Sequence, residues 1–100
     1  MKILALWRLT DNADMDEIVK LLEDEERYAW NNYLSGVLRE HYESDLPVPA
    51  ISIIEADDIE HAKELFKNLP IMKAGYLEPQ YYPLQPFKNW DVLFKDEFKV

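Results

Sequence analysis

The segment Lys2–Leu9, KILALWRL, has no polar face. Alternation puts Ile3, Ala5, Trp7 and Leu9 on one side and Leu4 and Leu6 on the other. A strand that is apolar on both sides belongs in the middle of a sheet covered on both faces. Any fold for this chain must therefore bury its first strand twice. One hundred residues with 48% hydrophobic content and thirteen aromatic side chains build one core, so a single domain over residues 1–100 is expected. A chain this size leaves about a third of its unfolded surface exposed, and a second copy is the simplest way to cover more of it.

A second stretch, Ile59–Pro86, carries the rest of the architecture. Ile59, Ala62, Leu65, Phe66 and Leu69 recur at helical spacing and form one apolar stripe, leaving His61, Lys63, Glu64 and Lys67 outside. Asp57 is the expected N-cap, with Glu60 at the third helical position. Asn68 and Pro70 mark the end, after which the chain is expected to pass directly into a strand around Tyr76–Tyr82. Pro79 and Pro83 cannot donate to a ladder, which puts this strand at an edge or at a bulge.

Between these stretches, Asp11–Asn12–Ala13 is a turn, and Asp14 with Glu17 repeats the cap pattern. Met15, Ile18, Val19, Leu22, Ala29 and Tyr33 share one face of a helix predicted to run to about Asn31. From Leu34 the pattern alternates, with Val37, Arg39 and His41 on one face of a second strand and Leu38, Glu40 and Tyr42 on the other. Two prolines lie in the loop Glu43–Pro49, and Ala50–Glu55, AISIIE, reads as a third strand. The order β-α-β-β-α-β is the ferredoxin-like split βαβ arrangement, an α+β fold with an antiparallel sheet and both helices on one face. The uncovered face then calls for the sheet of a partner subunit, making a homodimer.

Charge and composition narrow the function. Twenty acidic against eleven basic residues give a net charge of −9, which repels phosphate backbones and anionic membranes. Nucleic acid and membrane are therefore not expected as partners. There is no cysteine, hence no thiolate chemistry, and the apolar runs are too short to span a bilayer. Met1–Lys2 leads into a short strand, without the shape of a signal peptide, so a cytoplasmic protein is expected. His61 near Asp57 and Asp58 can gather a cation, but both aspartates have a use at a helix start. Gly36 and Gly75 stand alone and build no phosphate loop, and Ser35, Ser44 and Ser52 sit in no nucleophile motif.

The phrases LSGVLREHY (34–42), PAISIIEA with its acidic turn and AKELF helix (49–66), and LPIMKAGYLEPQYYPLQPF (69–87) carry a resemblance. They resemble the muconolactone isomerase-like proteins of the dimeric α+β barrel, ferredoxin-like group, most specifically in Leu69–Pro70, Lys73–Ala74–Gly75 and Pro83–Leu84–Gln85–Pro86. The likeness covers about Glu25 to Phe94, and the chain departs from the isomerase branch over the first strand and helix. It implies the fold and an obligate dimer, with larger rings in the isomerase branch. The chemistry of that branch is a proton shift within an unsaturated lactone, with neither metal nor redox cofactor.

Such chemistry needs a base of tuned pKa in a dry cavity and a donor for the developing enolate oxygen. Glu25 or Glu26, at the break in an otherwise apolar helix face, is the candidate base, since desolvation raises a carboxyl pKa. The alternative is a solvated charged turn, Glu23–Arg27, with a carboxylate paired to Arg27 or Arg39. Arg39 and His41, about 7 Å apart along one strand face, are expected as an anion clamp and a titrating catalytic imidazole, or else as interface ion pairs. Trp7, Trp30, Tyr33 and Tyr42 are expected to line an aromatic cavity or to be core.

The segment Gln85–Val100 carries Phe87, Trp90, Val92, Leu93, Phe94 and Phe98. Residues 1–84 are thus the body, and 85–100 a tail expected to pack on the barrel or the partner. Two readings stand: a cofactor-free isomerase or lyase acting on a small unsaturated lactone or acid, and a non-catalytic dimeric module that binds a small hydrophobic ligand or a protein. The first requires a closed cavity and a carboxylate with a raised pKa. The second predicts a filled cavity or one without such a group.

Overall fold

A computed structural model describes residues 1–94. Strand β1 (Lys2–Leu9) takes the inner position that its two apolar faces require. It pairs antiparallel with β3 (Ala50–Glu55) on one side and β4 (Leu77–Leu84) on the other, and β2 (Leu38–Glu43) completes the sheet beyond β3. The order is β2-β3-β1-β4. Strand β4 lies at the edge, as Pro79 and Pro83 dictate.

Helix α1 (Met15–Leu34) starts at Asp14, whose carboxylate accepts from the N–H groups of Asp16 and Glu17 at 3.0 and 3.3 Å. It runs three residues past the expected end at Asn31, because nothing in Asn32–Leu34 breaks a helix. Leu34 thus belongs to the helix rather than to the second strand. Gly36, at φ 85°, adopts the left-handed conformation that turns the chain into β2.

Helix α2 (Ile59–Phe66) is capped one residue later than the sequence suggests. Asp58 accepts from the His61 N–H at 2.7 Å, and His61 Nδ1 in turn accepts from the Asp57 N–H at 2.8 Å. The pair resembles a capping box, with histidine at the third helical position in place of Glu60 and its reciprocal bond made to the residue before the cap. Pro70 does not hand the chain straight to a strand. It occupies the first position of a one-turn helix, α3 (Pro70–Lys73), where its missing N–H costs nothing. Gly75, at φ 84°, then opens β4.

Both long helices pack on one sheet face. Ile3, Ala5, Trp7, Leu38, Ile54 and Ala56 meet Ala62, Phe66 and Leu69, with Tyr28 and Ala29 of α1 against the same cluster. Burying one such aliphatic or phenyl side chain contributes about 1.5–3 kcal/mol. The Tyr28 hydroxyl donates to the Leu65 carbonyl at 2.6 Å and ties α1 to α2. Trp7 packs edge-on against Phe66, with ring centroids 5.1 Å apart, and against Tyr81 at 5.9 Å.

On the opposite face, Leu4 and Leu6 of β1 lie beside Ile53 and Ile51 of β3, and all four remain partly exposed. Beyond β4 the chain forms a 3₁₀ segment, Lys88–Phe94. Phe87, Trp90 and Phe94 are 64, 67 and 71% exposed, so the described part of the tail does not bury these rings on its own body. The radius of gyration, 17.2 Å, exceeds the about 13 Å of a compact domain of this length. Residues 95–100, including Phe98 of the expected tail packing, lie outside the described residues. Among the described residues no helix is long and apolar enough to cross a membrane.

Candidate active site

The inner sheet face, α1 and α3 line an open cavity of about 500 Å³ whose walls include Trp7, Ile18, Leu22, Phe66, Leu69 and Ile71. Three titratable side chains expected in the site, Glu25, Glu26 and His41, line it, and Glu25 and His41 are the two fixed by hydrogen bonds there. Both are placed by features of the backbone that alternation alone does not reveal.

Glu25 occupies the gap in the apolar stripe of α1 and is only 7% exposed. Its Oε1 accepts from the Ile71 N–H at 3.0 Å. That donor exists because α3 begins with a proline, which has no N–H of its own, and because Leu69 at the cap offers no side-chain acceptor. Glu25 therefore caps α3 from another helix, with one oxygen. Among the described residues its Oε2 has no hydrogen-bond partner. Burial pushes the carboxyl pKa upward, the Ile71 N–H pulls it partly back, and the neighbouring Glu26 charge raises it further. Glu26 also lines the cavity but is exposed. The arginine pairing expected within Glu23–Arg27 is formed, by Glu23 with Arg27 at 3.0 Å and Asp24 with Arg27 at 3.9 Å, and it leaves Glu25 out.

His41 reaches the cavity through a β-bulge. The β2–β3 register runs Leu38 opposite Ile54, then Glu40 opposite Ile53 and His41 opposite Ser52, leaving Arg39 as the extra residue. The slip carries His41 to the face of Leu38, Ile54 and the helices, and separates it from Arg39. The expected Arg39–His41 pair on one strand face is therefore not formed. Arg39 is exposed and does not line the cavity, so it provides no anion clamp there. Instead His41 Nδ1 lies 2.6 Å from the hydroxyl of Ser52, which is fully buried and also accepts from Trp7 Nε1 at 2.7 Å.

The expected aromatic wall divides. Trp7 is buried in the cavity lining, and Tyr42, though exposed, also lines it. The Tyr42 hydroxyl donates to Glu40 at 2.7 Å. Trp30 and Tyr33 stack on each other at 5.3 Å and border a separate shallow groove shared with Glu26 and His41. The lining carries Glu25, Glu26 and Glu43 but, among the described residues, no lysine or arginine. Ser52, which the sequence offers only as a serine without a nucleophile motif, and Ile71 were not expected in the site. A lone serine inside the apolar run AISIIE was the available signal for the first; nothing local pointed to the second.

Neither a scan against family models nor a search of curated proteins finds a match. Solved structures do match. A 5-chloro-2-hydroxyhydroquinone dehydrochlorinase from Burkholderia phenoliruptrix AC1100, in complex with 2,5-dihydroxybenzoquinone, superposes with TM-score 0.69 at 14% identity, covering 89% of this chain and 98% of that one. Muconolactone isomerase superposes with TM-score 0.66 at 18% identity, covering 87% of this chain and 93% of the other. At these identities the likeness is one of fold: the chain has the ferredoxin-like α+β architecture of muconolactone isomerase and the dehydrochlorinase.

Proposed function

We propose that the chain is a cofactor-free isomerase or related lyase that shifts a proton within a small unsaturated lactone or acid, with Glu25 as the base. The observation that carries this reading is the Glu25 carboxyl itself, buried in the cavity wall with one oxygen anchored and the other unengaged. Anchoring by Ile71 fixes the position of the carboxyl, and desolvation raises its affinity for a proton. Both are properties of a base that takes a proton from carbon and returns it. The catalytic alternative requires a closed cavity and a carboxylate with a raised pKa; Glu25 supplies the carboxylate, and closure of the cavity is left to the partner subunit in this reading. The acidic lining favours the lactone over the free acid, because an anionic ligand would meet Glu25, Glu26 and Glu43 without a cationic partner from the described residues.

The working unit in this reading is a homodimer. The uncovered sheet face presents Leu4, Leu6, Ile51 and Ile53, and a second sheet would bury them. The exposed Phe87, Trp90 and Phe94 of the tail are the further apolar surface that a partner subunit would cover.

The test follows carbon-bound hydrogen. A five-membered unsaturated lactone incubated with the protein in D₂O is expected to take up deuterium beside its carbonyl, read by ¹H NMR. Glu25→Gln is expected to slow that exchange by about 10²–10⁴-fold, with Glu26→Gln much closer to wild type. Exchange by Glu25→Gln at the wild-type rate would overturn the assignment.

A further inference from the structure

We infer that Ser52 is a positioning residue: together with the Trp7 indole N–H it fixes His41 as the tautomer protonated on Nε2, so that His41 offers the cavity a hydrogen-bond donor rather than a base. The Trp7 Nε1–H only donates, so at 2.7 Å it occupies one acceptor site of Ser52 Oγ. The Ser52 hydroxyl proton then has one available acceptor among the described residues, His41 Nδ1 at 2.6 Å. Were Nδ1 protonated instead, the serine oxygen would accept twice, and its own proton would be left without an acceptor at a residue of 0% exposure. Buried polar groups avoid that state. The chain of donation therefore runs from Trp7 to Ser52 to His41, and the ring proton sits on Nε2, the nitrogen turned away from Ser52.

This assigns complementary roles within the cavity. Glu25 brings an unengaged carboxylate oxygen and His41 an N–H, the pair needed to remove a proton beside a carbonyl while donating to the oxygen on which charge develops. It also fills the place left when the bulge removes Arg39 from the site. The ligand group facing His41 is then an acceptor, a lactone or ketone oxygen. The use made of the donor rests on the proton-shift reading above, whereas the tautomer does not depend on any substrate.

The test is ¹⁵N NMR of the histidine ring nitrogens in the ligand-free protein, by long-range ¹H–¹⁵N correlation at about pH 8, above the ordinary imidazole range. The chain has two histidines, and His61→Gln assigns the signals. Wild-type His41 is expected as a single tautomer, with a protonated Nε2 and an unprotonated Nδ1. Ser52→Ala is expected to lose that single-tautomer pattern and to lower kcat for lactone exchange more than it raises KM. A wild-type spectrum with Nδ1 protonated, or with both nitrogens averaged as in free imidazole, would overturn the inference even if Ser52→Ala does not fold. Because no substrate is present, failure of the tautomer is distinct from failure of Glu25 as base, which the deuterium experiment reads.

Discussion

Replacing Tyr81 by phenylalanine is expected to stabilise the protein. Tyr81 lies opposite Ala5 in the β1–β4 register, on the inner sheet face, with its ring perpendicular to Trp7. Its hydroxyl is buried and has no hydrogen-bond partner among the described residues. The same burial pushes the phenol pKa up to about 12 from 10.0. A buried polar group without a partner costs about 1–3 kcal/mol, and phenylalanine keeps the ring while deleting only the oxygen. Allowing for the small void left behind, the net gain is about 1 kcal/mol, or roughly 4–8 °C in Tm for a domain of this size. The assay is thermal and urea denaturation of both proteins at one fixed concentration, since self-association would couple stability to concentration. The alkaline limb supplies a second readout. In the unfolded chain the phenol ionises near pH 10, but in the fold only near 12, so wild-type stability present below pH 10 is lost as pH rises through that window. Tyr81→Phe should flatten that part of the profile. A fall in Tm of several degrees would refute the reasoning, because it would show that the hydroxyl is satisfied and contributes to the fold.

Other perturbations test other parts of the account. Glu25 has a pKa above its ordinary 4.5, so its contribution to stability is fully present below pH 4.5 and declines as pH rises through the folded-state value; in urea midpoints from about pH 4 to 8 the stability of wild type relative to Glu25→Gln should fall as pH rises. Arg39→Ala, at an exposed bulge, should leave lactone exchange within about twofold and stability within about 0.5 kcal/mol, whereas a large loss of exchange would restore the anion-clamp role. Truncation after Leu84 should shift sedimentation towards monomer by removing Phe87, Trp90 and Phe94, and unchanged dimer affinity would sink the proposed tail contact.

The frame of the fold was legible because it rests on local signals. The doubly apolar β1, the cap at Asp14 and the prolines of β4 each act within a few residues, and each has the role in the structure that the sequence assigns. The site was legible only in part. Glu25 could be named because it interrupts a helical stripe, but preferring it to Glu26 required knowing where α3 lies, and α3 was hidden because Pro70 serves equally to end one helix or to begin another. His41 was named with the wrong neighbour. Leu38–Arg39–Glu40–His41 looks like plain alternation, and the bulge that breaks it is set by pairing with β3, a long-range interaction that no local pattern encodes. The same blindness explains the cap of α2, where Asp57 and Asp58 are equivalent by type and the geometry of His61 decides between them.

The central claim, that Glu25 is a desolvated base facing the cavity, is tested most directly by titrating its side-chain carboxyl carbon with ¹³C NMR, assigned through Glu25→Gln. Glu25 is expected to take up its proton at a higher pH than the exposed glutamates, and a bound lactone is expected to perturb its signal. A Glu25 carboxyl that titrates together with the exposed glutamates and does not respond to any lactone that binds would contradict it.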